Sequence, residues 1–114
     1  MIIGIGTDIV EIQRIEKALH KPVIHKILTE KEQMIANQYQ GHRKSEWIAG
    51  RFAAKEAIYK AIHNVVDCMV WDIEILMDES GAPVCSCFPY DVMVSIAHEK
   101  EYAIAYAMVQ TKES

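Results

Sequence analysis

Apolar and polar positions change rhythm along this chain, and each change predicts an element. Ile2–Thr7 is short, apolar and rich in β-branched residues, which predicts a buried strand with Asp8 at its end. In Ile9–Lys21, Ile12, Ile15 and Leu19 recur at helical spacing and the pattern stops before Pro22. Opposite that stripe Arg14, Lys17 and Lys21 fall at i, i+3 and i+7, lining one exposed face. Thr29-x-x-Glu32 has the form of a capping box opening a helix to about Tyr39. Ser45 stands where it would cap a long helix to about His63. In that helix Ala49, Ala53, Ala57 and Ala61 recur every fourth residue, a smooth stripe on which a helix can lie close to a sheet.

Beyond the long helix the rhythm shortens. Val70–Met77 alternates Ile73, Ile75 and Met77 with polar residues, and the turn chemistry of Glu79–Pro83 predicts a hairpin returning through Val84–Phe88. Met93–Ala97 and Tyr102–Val109 predict a second antiparallel pair joined at His98–Glu101. Helices in the first half and strands in the second predict one α+β domain spanning 1–114, a mostly antiparallel sheet against a long helix.

Composition narrows the function classes. Ten Lys/Arg stand against seven Asp/Glu in residues 1–60, and two against nine in 61–114, for a net charge of −4. That sum argues against general nucleic-acid binding, yet leaves room for a basic patch in the first half that takes an acidic partner. No apolar run approaches the roughly 18 residues of a membrane span, and the N-terminus has no basic signal region, so no membrane association and a cytoplasmic location are expected. Cys68, Cys85 and Cys87 are odd in number without a Cys-x-x-Cys pair. Cys85 and Cys87 share one face of a predicted strand, and reduced thiols packed as small apolar groups are expected.

Two carboxylates carry the candidate chemistry. Asp8 lies in Gly6-Thr7-Asp8 and Glu56 in Phe52-Ala53-Ala54-Lys55-Glu56, each beside basic residues. Together they suit Mg²⁺, a hard cation that takes one or two carboxylates plus phosphate oxygens and water. Arg51, Lys55, Lys60 and His98 would neutralise phosphate charge, as phosphoryl transfer requires. Structural alternatives stand beside each: Asp8 as an N-cap, Glu56 and Lys60 as an i,i+4 ion pair, Arg51 and Lys55 as solvated neighbours, His98 as a turn residue. The P-loop pattern is absent, and Gly4-x-Gly6 lacks the third glycine of a dinucleotide fingerprint.

Three segments, Gly6-Thr7-Asp8 through Arg14, Arg51 through Lys60, and Ser95-Ile96-Ala97-His98 through Ala103, resemble in order the motifs of bacterial holo-acyl-carrier-protein synthases. These are small, single-domain 4′-phosphopantetheinyl transferases. The resemblance implies transfer of 4′-phosphopantetheine from coenzyme A to a serine of acyl carrier protein, a step that serves fatty acid biosynthesis. It implies Asp8 and Glu56 as Mg²⁺ ligands, and Asp8, Glu56, Lys60 and His98 as catalytic residues. It further implies Arg51, Lys55 and His98 on coenzyme A phosphates, and Arg14, Lys17 and Lys21 docking the acidic carrier protein. A homotrimer with active sites between subunits is expected. The sequence departs from the family at His63–Asp67, which contains no glycine where relatives carry a glycine-rich loop. It departs again in the short segment Cys87–Asp91, and at Ala97, where relatives usually have Ser or Thr.

Overall fold

The computed structural model describes residues 1–112. The element order is β1 (Ile2–Glu11), α1 (Ile12–Ala18), α2 (Pro22–Ile27), α3 (Glu30–Ala36), α4 (Gly41–Ile62), β2 (Leu76–Met77), β3 (Pro83–Val84), β4 (Asp91–His98) and β5 (Tyr102–Gln110). A three-stranded antiparallel sheet, in the order β1-β5-β4, lies against the long helix α4, and β2 with β3 forms a separate two-stranded ribbon. This is the expected α+β arrangement, with the last two long strands paired as predicted, Ser95 opposite Tyr106 and Ala97 opposite Ile104.

The chain's first strand is longer than expected. It runs to Glu11 because β5 pairs with it as far as Tyr102, and Ile9 and Val10 suit a strand well. Asp8 therefore sits within β1, opposite Ala105, and not at a helix start. Its reading as an N-cap is wrong. The helix expected from Ile9 to Lys21 shrinks to α1, which buries Ile12 and Ile15. Arg14 and Lys17 are exposed on α1, but Lys21 lies outside it, as the residue preceding Pro22, which opens the separate helix α2.

The capping box at Thr29 and Glu32 forms as predicted. α4 begins at Gly41 (φ +59°), so Ser45 is a buried residue inside the helix, not its cap. Val70–Asp72 forms a 3₁₀ turn, and only Leu76–Met77 and Pro83–Val84 pair. The expected longer ribbon is cut short because Ile73 and Ile75 are buried in the core, where the Ile75 N–H donates to the Glu32 carboxylate at 2.8 Å.

All four alanines of the α4 stripe are buried, and the sheet meets them through residues of similar smallness, Ala103, Ala105 and Ala107 on β5. On β1 the contact is closer still. A Cβ at Gly4 would overlap the carbonyl oxygen of Ala61, and one at Gly6 would overlap that of Ala57. Strand and helix touch backbone to backbone at these two points. Gly6→Ala is expected to cost about 1–3 kcal/mol by overpacking, read as a lower urea midpoint. An unchanged midpoint would show that the contact relaxes freely.

Candidate active site

The glycine contacts fix where Asp8 lies. Gly4 stands over Ala61 and Gly6 over Ala57, so by the same progression Asp8, the next inward position of β1, falls against the turn of α4 that ends at Glu56. Lys60 follows one turn later. Its Nζ donates to the Thr7 carbonyl at 2.9 Å and lies 3.3 Å from Asp8 Oδ1. The lysine is thus held to the strand, and no ion pair joins it to Glu56 among the described residues. The i,i+4 pair that the spacing allowed does not form. Glu56 is half-buried and has no hydrogen bond or ion pair among the described residues, so its carboxylate is available.

Two carboxylates at one seam set the ligand chemistry. No group of three or more His, Cys, Asp or Glu gathers to hold a metal among the described residues. A closed zinc cage needs four protein ligands and finds too few here. Mg²⁺ fits the donor set, because it accepts one or two carboxylates and completes its shell with water and substrate phosphate.

Lys55 corrects an expectation. Its side chain is fully buried; Nζ donates to the Ile27 carbonyl at 2.8 Å and to Glu32 Oε1 at 2.5 Å. Burial pushes the Lys55 ammonium below its ordinary pKa, opposed by the adjoining Glu32 carboxylate. It is neither a solvated neighbour nor a phosphate contact, because its donors hold α3 and the Ile27 turn onto α4. Arg51 is also buried, with Nε donating to the Ile75 carbonyl at 3.1 Å and its guanidinium over the Trp47 ring at 4.4 Å. Desolvation lowers its pKa, with Glu32 acting in the opposite direction.

His98 ends β4, with Nδ1 3.5 Å from a Glu46 carboxylate oxygen that also lies 3.6 Å from His42. In the sheet it stands level with Val10, two strands away from β1, hence roughly 10 Å across from it at ~4.8 Å per strand. The structure brings Asp8, Glu56 and Lys60 to one seam and leaves His98 apart from them. His98 and the edge of Arg51 border a different cleft of about 220 Å³, shared with Arg43 and Glu46.

A sequence model of the 4′-phosphopantetheinyl transferase superfamily matches residues 4–107. This chain belongs to that superfamily. Among similar transferases is a holo-[acyl-carrier-protein] synthase of Bacillus cereus, 43% identical over 116 residues that cover 97% of this chain and 98% of that one. A holo-[acyl-carrier-protein] synthase of Halalkalibacterium halodurans is 44% identical with full coverage of both chains. A crystal structure of such a synthase from Bacillus anthracis, in complex with coenzyme A (3′,5′-ADP), superposes with a TM-score of 0.90 at 42% identity, covering 98% of this chain and 99% of that one. Those two figures place this transferase in the holo-acyl-carrier-protein synthase group.

Two carboxylates make contacts near the candidate site that the sequence does not announce. In the sequence Glu32 shows only as half of a capping box, yet it also ties Lys55 and Ile75 together. Glu46 carries no motif signal, but it faces His98, His42 and Arg43. For Glu46 the only available hint is its position, one helical turn before Gly50 on α4. The glycine-free turn after α4 closes without any positive φ, His63 Nδ1 lying 3.1 Å from the Tyr59 carbonyl oxygen.

Proposed function

We propose that Asp8 and Glu56 together hold Mg²⁺ while the enzyme transfers 4′-phosphopantetheine from coenzyme A to a serine of apo-acyl carrier protein, the reaction of its family. The observation that supports this most directly is the pairing of Asp8 with Lys60 beside a Glu56 that has no partner of its own among the described residues. Bound there, Mg²⁺ would supply charge neutralisation to the coenzyme A diphosphate.

The chain's own residues account for the remaining requirements of phosphoryl transfer, which are positioning and charge compensation. The unpartnered Glu56 carboxylate accepts the proton of the carrier serine as its oxygen bonds to phosphorus. The breaking phosphorus–oxygen bond leaves adenosine 3′,5′-bisphosphate, whose charge the Lys60 ammonium offsets from its anchorage on Thr7. His98, distant from Asp8 within one chain, suits another phosphate of the same donor. Arg51 can assist there only at the cleft edge, since Nε and one Nη are bonded to backbone carbonyls.

The test is incubation with apo-acyl carrier protein, coenzyme A and Mg²⁺, followed by intact-mass measurement. A phosphopantetheine adduct on the carrier is expected, and its loss on adding a chelator. Unmodified carrier in the presence of folded enzyme would overturn the reading.

Arg14 and Lys17, both exposed on α1, are the docking residues for the acidic carrier, with Lys21 beyond the helix as an outlying contributor. Reversing Arg14 and Lys17 to Glu is expected to raise the carrier KM and flatten its salt dependence, because such steering is screened over about 8–10 Å. A KM unchanged from the parent would leave α1 without a docking role.

A homotrimer is proposed on the outer face of the sheet. Ile5, Thr7 and Ile9 of β1 share that face with Tyr106, Met108 and Met93, with Ile5 73% and Tyr106 60% exposed. An open depression of about 670 Å³ lies there, lined by Ile5, Tyr106, Met93 and Met108. An apolar patch of this kind marks an association surface. Ile5→Lys/Tyr106→Lys is expected to convert trimers to monomers in sedimentation velocity, and a trimeric double variant would place the interface elsewhere. No helix among the described residues is long and apolar enough to cross a membrane. Placement in the cytoplasm follows from the coenzyme A donor that this reading assigns.

A further inference from the structure

Cys85 and Cys87 approach each other in a way that the transferase chemistry does not use. Side chains two apart on extended backbone point to the same face. Here Cys85 bridges to Val92 at the margin of β4, and the chain bends from Cys87 onward. The two sulfurs lie 3.5 Å apart. Cys85 is buried, packed in the cluster that holds Ile73 and Ile75, whereas Cys87 is exposed. One sulfur of the pair therefore meets solvent, and the other waits immediately behind it.

We propose that Cys85 and Cys87 form a peroxide-reactive thiol pair, in which Cys87 is oxidised first and Cys85 closes an intrachain disulfide. In the first step the Cys87 thiolate attacks a peroxide oxygen, giving Cys87 sulfenic acid and hydroxide. In the second the Cys85 sulfur attacks the Cys87 sulfur, forming the S–S bond, and the sulfenic oxygen leaves as water with the Cys85 proton. Two electrons pass from the thiol pair to the peroxide. The sulfurs need to approach by about 1.5 Å to reach disulfide bonding distance, a movement that the bend at Cys87 can absorb.

The order of events follows from the surroundings. The hydrogen bond from Cys85 is the main influence that pushes the Cys87 thiol down to about 6, while the same contact pushes Cys85 up. The buried Lys55 ammonium lies near enough to interact with the Cys87 sulfur. Burial and the Glu74 carboxylate act on Cys87 in the opposite direction without outweighing that hydrogen bond, and an exposed sulfur that favours the thiolate is the reactive kind. Cys68 is half-buried and its thiol is pushed up by burial, so it is the slower thiol.

The experiment treats reduced protein at neutral pH with a small excess of hydrogen peroxide and follows intact mass and peptide maps. The parent and Cys68→Ala are expected to lose about 2 Da, the two hydrogens of a disulfide, within the peptide bearing Cys85 and Cys87, reversibly with dithiothreitol. Cys85→Ala is expected to accumulate a dimedone-trappable sulfenic acid at Cys87. Cys87→Ala is expected to lose the fast reaction by at least about tenfold; because Cys87 is exposed, this variant tests the proposal even if Cys85→Ala folds poorly. No Cys85–Cys87 disulfide in the peroxide-treated parent, no trappable sulfenic acid at Cys87 in folded Cys85→Ala, a disulfide through Cys68, or a product that is only intermolecular would each overturn it.

Discussion

Glu56→Gln is expected to lower turnover by about 10²–10⁴-fold, the range for loss of a general base, with no loss of thermal stability. Both halves of that expectation come from the same observation. Glu56 is half-buried on α4 yet has no hydrogen bond or ion pair among the described residues, so nothing in the fold depends on its charge. The glutamine amide keeps the shape but can neither take the serine proton nor offer a second anionic oxygen to a cation. Without Mg²⁺ the variant is expected to melt at or above the parent temperature, since one of two carboxylates at the seam has been neutralised. With Mg²⁺ the parent's gain in melting temperature should shrink in the variant. Turnover within threefold of the parent would remove Glu56 from the proton transfer.

Lys55→Met is expected to cost about 3–5 kcal/mol, the usual penalty for removing one partner of a buried ion pair. That is a large share of the roughly 5–15 kcal/mol that holds a domain folded. Lys55 and Glu32 both have fully buried side chains, and Glu32 also accepts from the backbone N–H groups of Thr29 and Ile75, each at 2.8 Å. Taking away the ammonium leaves a carboxylate in the core facing the vacated space. Adding Glu32→Gln to the variant is expected to recover part of the loss, because the amide oxygen can keep one of those backbone contacts without carrying charge. Urea unfolding of the parent, the single and the double variants measures this. A single variant within about 1 kcal/mol of the parent, the range of exposed pairs, would show that Lys55 is not buried as described.

What was legible in the sequence is what neighbours in the chain decide. The alanine stripe of α4, the Thr29–Glu32 capping box and the β4–β5 pair all follow from short-range periodicity or local hydrogen bonding. Pairings across the chain are another matter. β1 continues through Asp8 to Glu11 only because β5, about a hundred residues later, supplies its partner. Lys55 and Arg51 look in sequence like the polar side of a helix, and only the arrival of α3 and the segment at Ile75 puts them inside. Asp8, Glu56 and Lys60 were legible as a set through their motifs, but that Lys60 grips Asp8 and not Glu56 depends on which strand lies over the helix. Gly4-x-Gly6 resembled a faint nucleotide signature, and its work is contact with α4.

That contact has a consequence for how this enzyme can vary. Where β1 crosses α4, the spacing is set by peptide atoms, which every sequence shares, and not by the size of any side chain. Repacking the far side of α4, around Ile58, Ile62 or Ile73, would alter how firmly the molecule holds together while leaving the interval between the two carboxylates almost untouched. Robustness and chemistry are thus adjustable separately, and a lineage could drift widely in its interior so long as two positions keep no side chain at all.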